Sequence, residues 1–123
     1  MDSVEHDELS QRVIGCAFVV SNTLGVGFLE KVYENALAHE FTLQKIRFAQ
    51  QHPVAVRYNG VVVGEYVADF LVDDRLLLEL KAVKEIDPVH EAQCLNYLRA
   101  TGLKTCLLIN FGVSKLKPRR ISL

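Results

Sequence analysis

The sequence predicts an α/β/α sandwich, and three observations predict it. Apolar residues recur every three or four positions over two stretches before residue 44 and one after residue 87, the pattern of amphipathic helices. Between them, residues 54–81 change to alternating or continuous apolar runs broken by tight polar turns, the pattern of consecutive strands. A further apolar run, Thr105–Phe111, follows the third helix. Helices before and after a central sheet can bury both of its faces.

Taken in order, the first five or six residues carry no pattern and are expected to fray, and the whole of 1–123 reads as one domain. From Asp7, a suitable N-cap, Leu9, Val13, Cys16, Ala17, Val20 and Leu24 form the apolar stripe of a first helix. Gly25-Val26-Gly27 ends it, because two glycines in three residues supply the dihedrals of a turn. A second helix is expected over Phe28–Gln44, burying Leu29, Val32, Ala36, Leu37 and Leu43, with Phe41 near the edge. Glu30, Tyr33 and Glu34 are neighbours on an adjoining face. Tyr33 reads as a half-buried anchor whose hydroxyl needs a partner.

Val54–Tyr58, then Asn59-Gly60, then Val61 onward is a type I′ hairpin signal. The second strand continues past Asp69 and the third runs from Leu76 to Lys81, making an antiparallel meander. Asp87-Pro88 starts the third helix, Val89, Ala92, Leu95 and Leu98 supply its stripe, and Gly102 stops it. Gln93 and Tyr97 flank that stripe, with His90 on the same side. After Thr105–Phe111 and a turn at Gly112, the basic segment Lys115–Leu123 is expected to pair as an edge strand, since Pro118 excludes it from the sheet interior.

Composition bounds the function. With 123 residues, 50% hydrophobic and 24% charged, the chain is long enough to bury a real core. A net charge of −1 provides no global basic field, so any nucleic-acid contact must come from a local patch. The best candidate patch is Lys115, Lys117, Arg119 and Arg120. The chain contains no run of 18 apolar residues, and Met1-Asp2-Ser3-Val4-Glu5 is unlike a signal peptide. Cys16, Cys94 and Cys106 lack Cys-x-x-Cys spacing, which fits a reducing cytoplasm.

The functional signal lies in the hairpin Tyr66–Lys81, where Asp69, Glu79 and Lys81 interrupt apolar strands. A charge there is costly unless paired. The register decides whether the three meet. A two-residue turn at Asp73-Asp74 sets Asp69 opposite Leu78, whereas the three-residue connection Asp73-Asp74-Arg75 sets Val72 opposite Leu76 and Asp69 opposite Glu79. The latter also collects Tyr66, Ala68 and Phe70 with Leu76, Leu78 and Leu80 on one apolar face, so it is the register expected. Converging charges of this kind suggest a metal site with a cationic helper. A structural ion-pair network on a half-exposed sheet accounts for the same three residues.

Gly27-Phe28-Leu29-Glu30-Lys31-Val32-Tyr33 resembles the pattern that names the GxxExxY protein family. Gln93-Cys94-Leu95-Asn96-Tyr97-Leu98 followed by Thr101-Gly102-Leu103 resembles its second block, and the similarity extends from about Leu9 to Ile121. That family is a branch of the PD-(D/E)XK nuclease superfamily, so the resemblance implies a restriction-endonuclease-like fold over 1–123. It implies that Asp69 is the motif aspartate, that Glu79-Leu80-Lys81 is the E-x-K element, and that Glu30 is the acidic residue of the preceding helix. Gln93 and Tyr97 match a Q-x-x-x-Y element; the motif's proline is Ala68 here.

The activity implied is hydrolysis of nucleic-acid phosphodiester bonds with Mg²⁺ or Mn²⁺, with DNA preferred to RNA. On this reading Asp69, Glu79 and the Leu80 carbonyl hold the metal, while Lys81 orients the attacking water or stabilises charge on phosphate. Glu30 reaches the metal directly or through water, or holds Lys81 in place; Gln93 and Tyr97 orient phosphate or water, and His90 contacts substrate. The rival is a catalytically silent module of the same fold that binds nucleic acid or a partner protein. A third reading is a structure-specific resolvase acting as a homodimer.

Overall fold

The computed structural model describes residues 2–123, with side chains described from Glu8 onward. The elements are α1 (Asp2–Leu24), α2 (Glu30–Leu43), β1 (Phe48–Tyr58), β2 (Val61–Val72), β3 (Leu76–Lys81), α3 (Pro88–Thr101), β4 (Thr105–Asn110) and β5 (Arg119–Ser122). The five strands form one sheet in the order β1-β2-β3-β4-β5. β3 and β4 are parallel, as a strand-helix-strand crossover through α3 requires, and the other pairs are antiparallel. The α/β fold expected from the pattern is the one observed.

Two apolar layers flank the sheet. On one face, Val13, Ala17 and Val20 of α1 and Leu37 and Phe41 of α2 pack on Phe70, Leu76, Leu78 and Leu80. On the other, Cys94, Tyr97 and Leu98 of α3 pack on Val54, Leu77, Cys106 and Leu108. Being covered on both sides, β3 and β4 read as continuous apolar runs rather than alternating ones. Each fully buried Leu or Phe contributes roughly 1.5–3 kcal/mol.

The turns follow their local chemistry. Asn59 (φ 51°) and Gly60 (φ 79°) both take positive φ, as a type I′ turn demands. The β2–β3 connection is the three-residue one: Arg75 N–H donates to Val72 O at 3.1 Å, and Val72 pairs with Leu76. Asp87 caps α3, accepting from Val89 N–H at 3.0 Å, and Gly102 closes it at φ 75°. Asn110 clasps the β3 exit loop: its Oδ1 accepts from Val83 N–H (3.0 Å) and Gly112 N–H (2.9 Å), and its Nδ2 donates to Val83 O (2.9 Å). Gly112 is obligatory there, because a Cβ would lie 2.2 Å from Val83 O.

Several expectations are corrected. α1 begins at Asp2, so Asp7 lies inside the helix; nothing in Asp2–Glu8 is Gly or Pro. The expected fraying falls on Met1, which lies outside the described residues, and on residues whose side chains are not described. α2 starts at Glu30, two residues later than expected, and its buried face is Tyr33, Glu34, Leu37 and Phe41. Leu29 (80% exposed), Val32 and Leu43 face outward. The helix is rolled because Tyr33 is not half-buried but fully buried, stacked on Phe111 with ring centroids 4.9 Å apart. Its hydroxyl donates to Gly25 O at 2.6 Å and accepts from Phe28 N–H at 3.2 Å.

α3 is rolled likewise: Val89 and Ala92 are exposed, while Cys94 and Tyr97 are buried. β1 begins at Phe48 and contains Pro53, which its place at the sheet edge tolerates. Finally, Tyr66 and Ala68 do not share a face with Phe70. Ala68 packs toward α3, and Tyr66 lies half-exposed beside Tyr97. The alternation breaks at Asp69, which drops out of the β1 ladder together with Gln51 opposite it (φ 56°).

A candidate metal-dependent active site at a fork in the sheet

The β2–β3 ladder consists of three pairs and stops at Phe70–Leu78. Beyond that point β2 continues with β1 alone, and carboxylates stand in for the missing ladder partners. Asp69 N–H donates to Glu79 Oε1 at 3.1 Å, and Leu80 N–H donates to Asp69 Oδ2 at 2.7 Å. Each carboxylate therefore binds the backbone of the strand that carries the other. This fixes both side chains without rotamer freedom and leaves one oxygen of each, Asp69 Oδ1 and Glu79 Oε2, outside that exchange. Lys81, two residues from Glu79 on the same side of β3, places Nζ 3.9 Å from Glu79 Oε2.

α2 adds two more carboxylates. Glu34 is only 2% exposed; it pairs with Lys31 at 3.1 Å and accepts from Gln50 and, at 2.9 Å, from Gln51. Gln51 also donates to Asp69 Oδ1 at 3.3 Å, bridging α2 to β2. Glu30 lies within electrostatic reach of Asp69, Lys81, Glu34 and Lys31. On the α3 side, Gln93 Nε2 donates to the Tyr97 hydroxyl at 2.9 Å, which donates to Val67 O at 3.2 Å, two residues before Asp69.

The electrostatics are those of an overcharged pocket. Burial, and then the charge of Asp69, push the Glu79 carboxyl up to about 8, against the opposing Asp69 N–H bond and Lys81. Burial, with Glu34, also raises Asp69, although Leu80 N–H, Gln51 and Lys81 pull the other way. Glu30 is raised by burial and by Asp69, and Tyr97 by burial and by Glu79 and Asp69. Four carboxylates face two ammonium groups, Lys31 and Lys81.

The surplus fits a divalent cation, and the donors, hard oxygens on Asp69 and Glu79, are those Mg²⁺ or Mn²⁺ takes. Among the described residues no three His, Cys, Asp or Glu side chains are gathered into a ready-made metal cluster. A two-carboxylate site is still compatible with Mg²⁺, which keeps several waters and takes the rest of its shell from substrate phosphate.

Asp69, Glu79, Leu80, Lys81, Glu30, Gln93 and Tyr97 thus converge. His90 lines one hollow with Gln93 and Tyr97, and its Nδ1 accepts from Asp87 N–H at 3.1 Å, completing a capping box at the start of α3. Lys115, Lys117 and Arg119 line a separate hollow of about 370 Å³ with Lys84 and Asn110, and Arg119 pairs with Glu91 at 2.7 Å. Arg120 lies on β5 opposite Leu107. Glu34, Gln50 and Gln51 were not among the residues expected at the site. Glu34 had a signal, four residues from Glu30 on the same helix face. Gln50 and Gln51 had none, because they precede the stretch that alternates.

A family model described as the PD-(D/E)XK nuclease superfamily matches residues 7–121. Two solved structures are similar in fold. The protein SSO0001 aligns with a TM-score of 0.60 at 13% identity, over 76% of this chain and 50% of that one. An alkaline exonuclease, LHK-Exo from Laribacter hongkongensis, aligns with a TM-score of 0.55 at 15% identity, over 75% and 55%. The chain therefore spans about half the length of each. No curated protein matches.

Proposed function

Because the chain belongs to the PD-(D/E)XK nuclease superfamily, we propose that it is a metal-dependent phosphodiesterase acting on nucleic acid, on DNA in preference to RNA, with Mg²⁺ or Mn²⁺. The observation that carries the reading is the reciprocal Asp69–Glu79 clasp with Lys81 beside it. Retention of the Gly27–Tyr33 block supports placement in the GxxExxY branch.

In this reading Asp69 Oδ1, Glu79 Oε2 and the Leu80 carbonyl hold the cation, which would activate the attacking water and neutralise charge at phosphorus. The clasp ties each carboxylate to a backbone N–H, so little reorganisation accompanies binding of a cation. Lys81 Nζ aims a donor at the water and at the phosphate oxygen on which charge develops. The water oxygen would bond to phosphorus and give up one proton as the bond from phosphorus to the leaving sugar oxygen breaks, and that oxygen would take up one proton in return, so the step balances. Glu30, and Glu34 through Gln51, keep the negative field that retains the cation. The Gln93–Tyr97 pair orients substrate phosphate from α3. The basic hollow of Lys84, Lys115 and Lys117 would meet a more distant phosphate.

The test is cleavage of labelled single-stranded, duplex and branched DNA and RNA with Mn²⁺, Mg²⁺ or chelator, beside purified Lys81→Ala. Metal-dependent cutting that disappears in the variant is expected. Equal cutting by both proteins, or none by wild type on any substrate, overturns the assignment; the second result would transfer it to a silent binding module.

A further inference from the structure

Beyond the fork, β1 and β2 pair only with each other and form an arm that leans on α3. Between the arm and the helix runs an open groove of about 590 Å³, lined by Val56, Arg57, Tyr66, Asn96 and Arg99. A second hollow of about 380 Å³ shares Val56, Tyr66 and Asn96 with it and adds Gln93 and Tyr97. The two, sharing three residues, make one channel that ends at the Gln93–Tyr97 pair, whose tyrosine hydroxyl donates to Val67 O two residues before Asp69.

Its lining is unusual for a surface with surplus acid nearby. Tyr66 is 53% exposed, and its ring lies tilted against that of Tyr97 (centroids 6.1 Å, interplanar 54°). Arg57 and Arg99 both lie on exposed positions, and neither has an acidic partner among the described residues; Arg99 donates only to Asn96 Oδ1 at 3.0 Å. An aromatic face, two uncompensated guanidiniums and an amide, set between small apolar side chains, match the bases and phosphates of an unpaired strand. A duplex hides its base faces and would leave Tyr66 without a use.

We propose that the groove between the β1–β2 arm and α3 seats an unpaired DNA strand leading into the carboxylate site, with Tyr66 stacking on a base and Arg57 and Arg99 on flanking phosphates. The choice of DNA as occupant rests on the nuclease reading. On this path the strand runs past Tyr66 to Gln93 and Tyr97 before its scissile phosphate would meet Asp69 and Glu79.

The test measures anisotropy of labelled 12-nucleotide single-stranded DNA, the same RNA sequence and a blunt duplex, in chelator so that nothing is cut. Tyr66→Ala is expected to weaken single-strand DNA binding about tenfold, with Tyr66→Phe close to wild type. Arg57→Gln with Arg99→Gln should flatten the slope of log K against log salt by about 1.4, roughly 0.7 for each phosphate no longer neutralised. Hydrolysis of bis(p-nitrophenyl) phosphate with Mn²⁺ reads the carboxylate site separately, since so small an ester does not need the groove. Unchanged strand binding in Tyr66→Ala, equal or tighter binding of duplex or RNA, or no strand binding by wild type overturns the groove whatever the ester shows. Strand binding that depends on Tyr66, with no ester hydrolysis by wild type, supports the groove while the nuclease reading fails.

Discussion

Replacing Glu79 with Gln is expected to stabilise the metal-free protein at pH 7 while abolishing its proposed activity. The native carboxyl keeps its proton up to about 8, against an ordinary value of 4.5. Between those values the native state binds more protons than the unfolded state. The stability it contributes is therefore complete below pH 4.5 and is lost as pH rises toward 8. At about 1.36 kcal/mol per pH unit, the loss between pH 4.5 and 7 is roughly 3 kcal/mol. A glutamine keeps the acceptor for Asp69 N–H, now 3.1 Å from Glu79 Oε1, and has no charge to desolvate. Chemical and thermal unfolding at several pH values in chelator should show Glu79→Gln more stable at pH 7 by roughly 3 kcal/mol, about 10 °C in Tm. The curves should converge near pH 4.5, with a residual slope in the variant from Asp69 and Glu30, which are raised in the same direction. Added Mn²⁺ should stabilise the wild type and leave the variant unmoved. A variant no more stable than wild type at pH 7, or a gap independent of pH, would refute the claim that Glu79 is held under electrostatic stress.

Gly112→Ala should cost about 3 kcal/mol or more in denaturant unfolding, because its Cβ meets Val83 backbone that cannot yield. Asp87→Ala removes the side-chain cap of α3 and should cost about 1 kcal/mol with little change in cleavage, which separates the cap from catalysis. Tyr33→Phe leaves the stack on Phe111 but frees Gly25 O and Phe28 N–H; roughly 1–2 kcal/mol of stability should go, read by thermal melting.

Much of this was legible without coordinates, for reasons that are local. Helix and strand periods follow from backbone geometry, so element order could be read from spacing, and α1 buries the same six positions its sequence suggests, Leu24 partly. Asn59-Gly60 and Asp87-Pro88 act through their own dihedrals and hydrogen bonds, which distant contacts rarely override. The hairpin register was legible too, because a slip by one residue would have buried charge. With that register, the meeting of Asp69 and Glu79 followed.

What only the tertiary structure decided is how helices roll and how the sheet ends. Periodicity gives an apolar face but not its angle, and α2 turned because Tyr33 found both Phe111 and the Gly25 carbonyl, carrying Glu34 inward and Leu29 out. The face-sharing expected of Tyr66, Ala68 and Phe70 failed because strand alternation assumes an unbroken ladder, and here a carboxylate replaces the ladder at Asp69. The same break opens the fork through which Glu34, Gln50 and Gln51 reach the site. Sequence alone determined which residues could carry charge into the sheet. The strands' divergence, a long-range property of packing on both faces, decided which of them share one pocket.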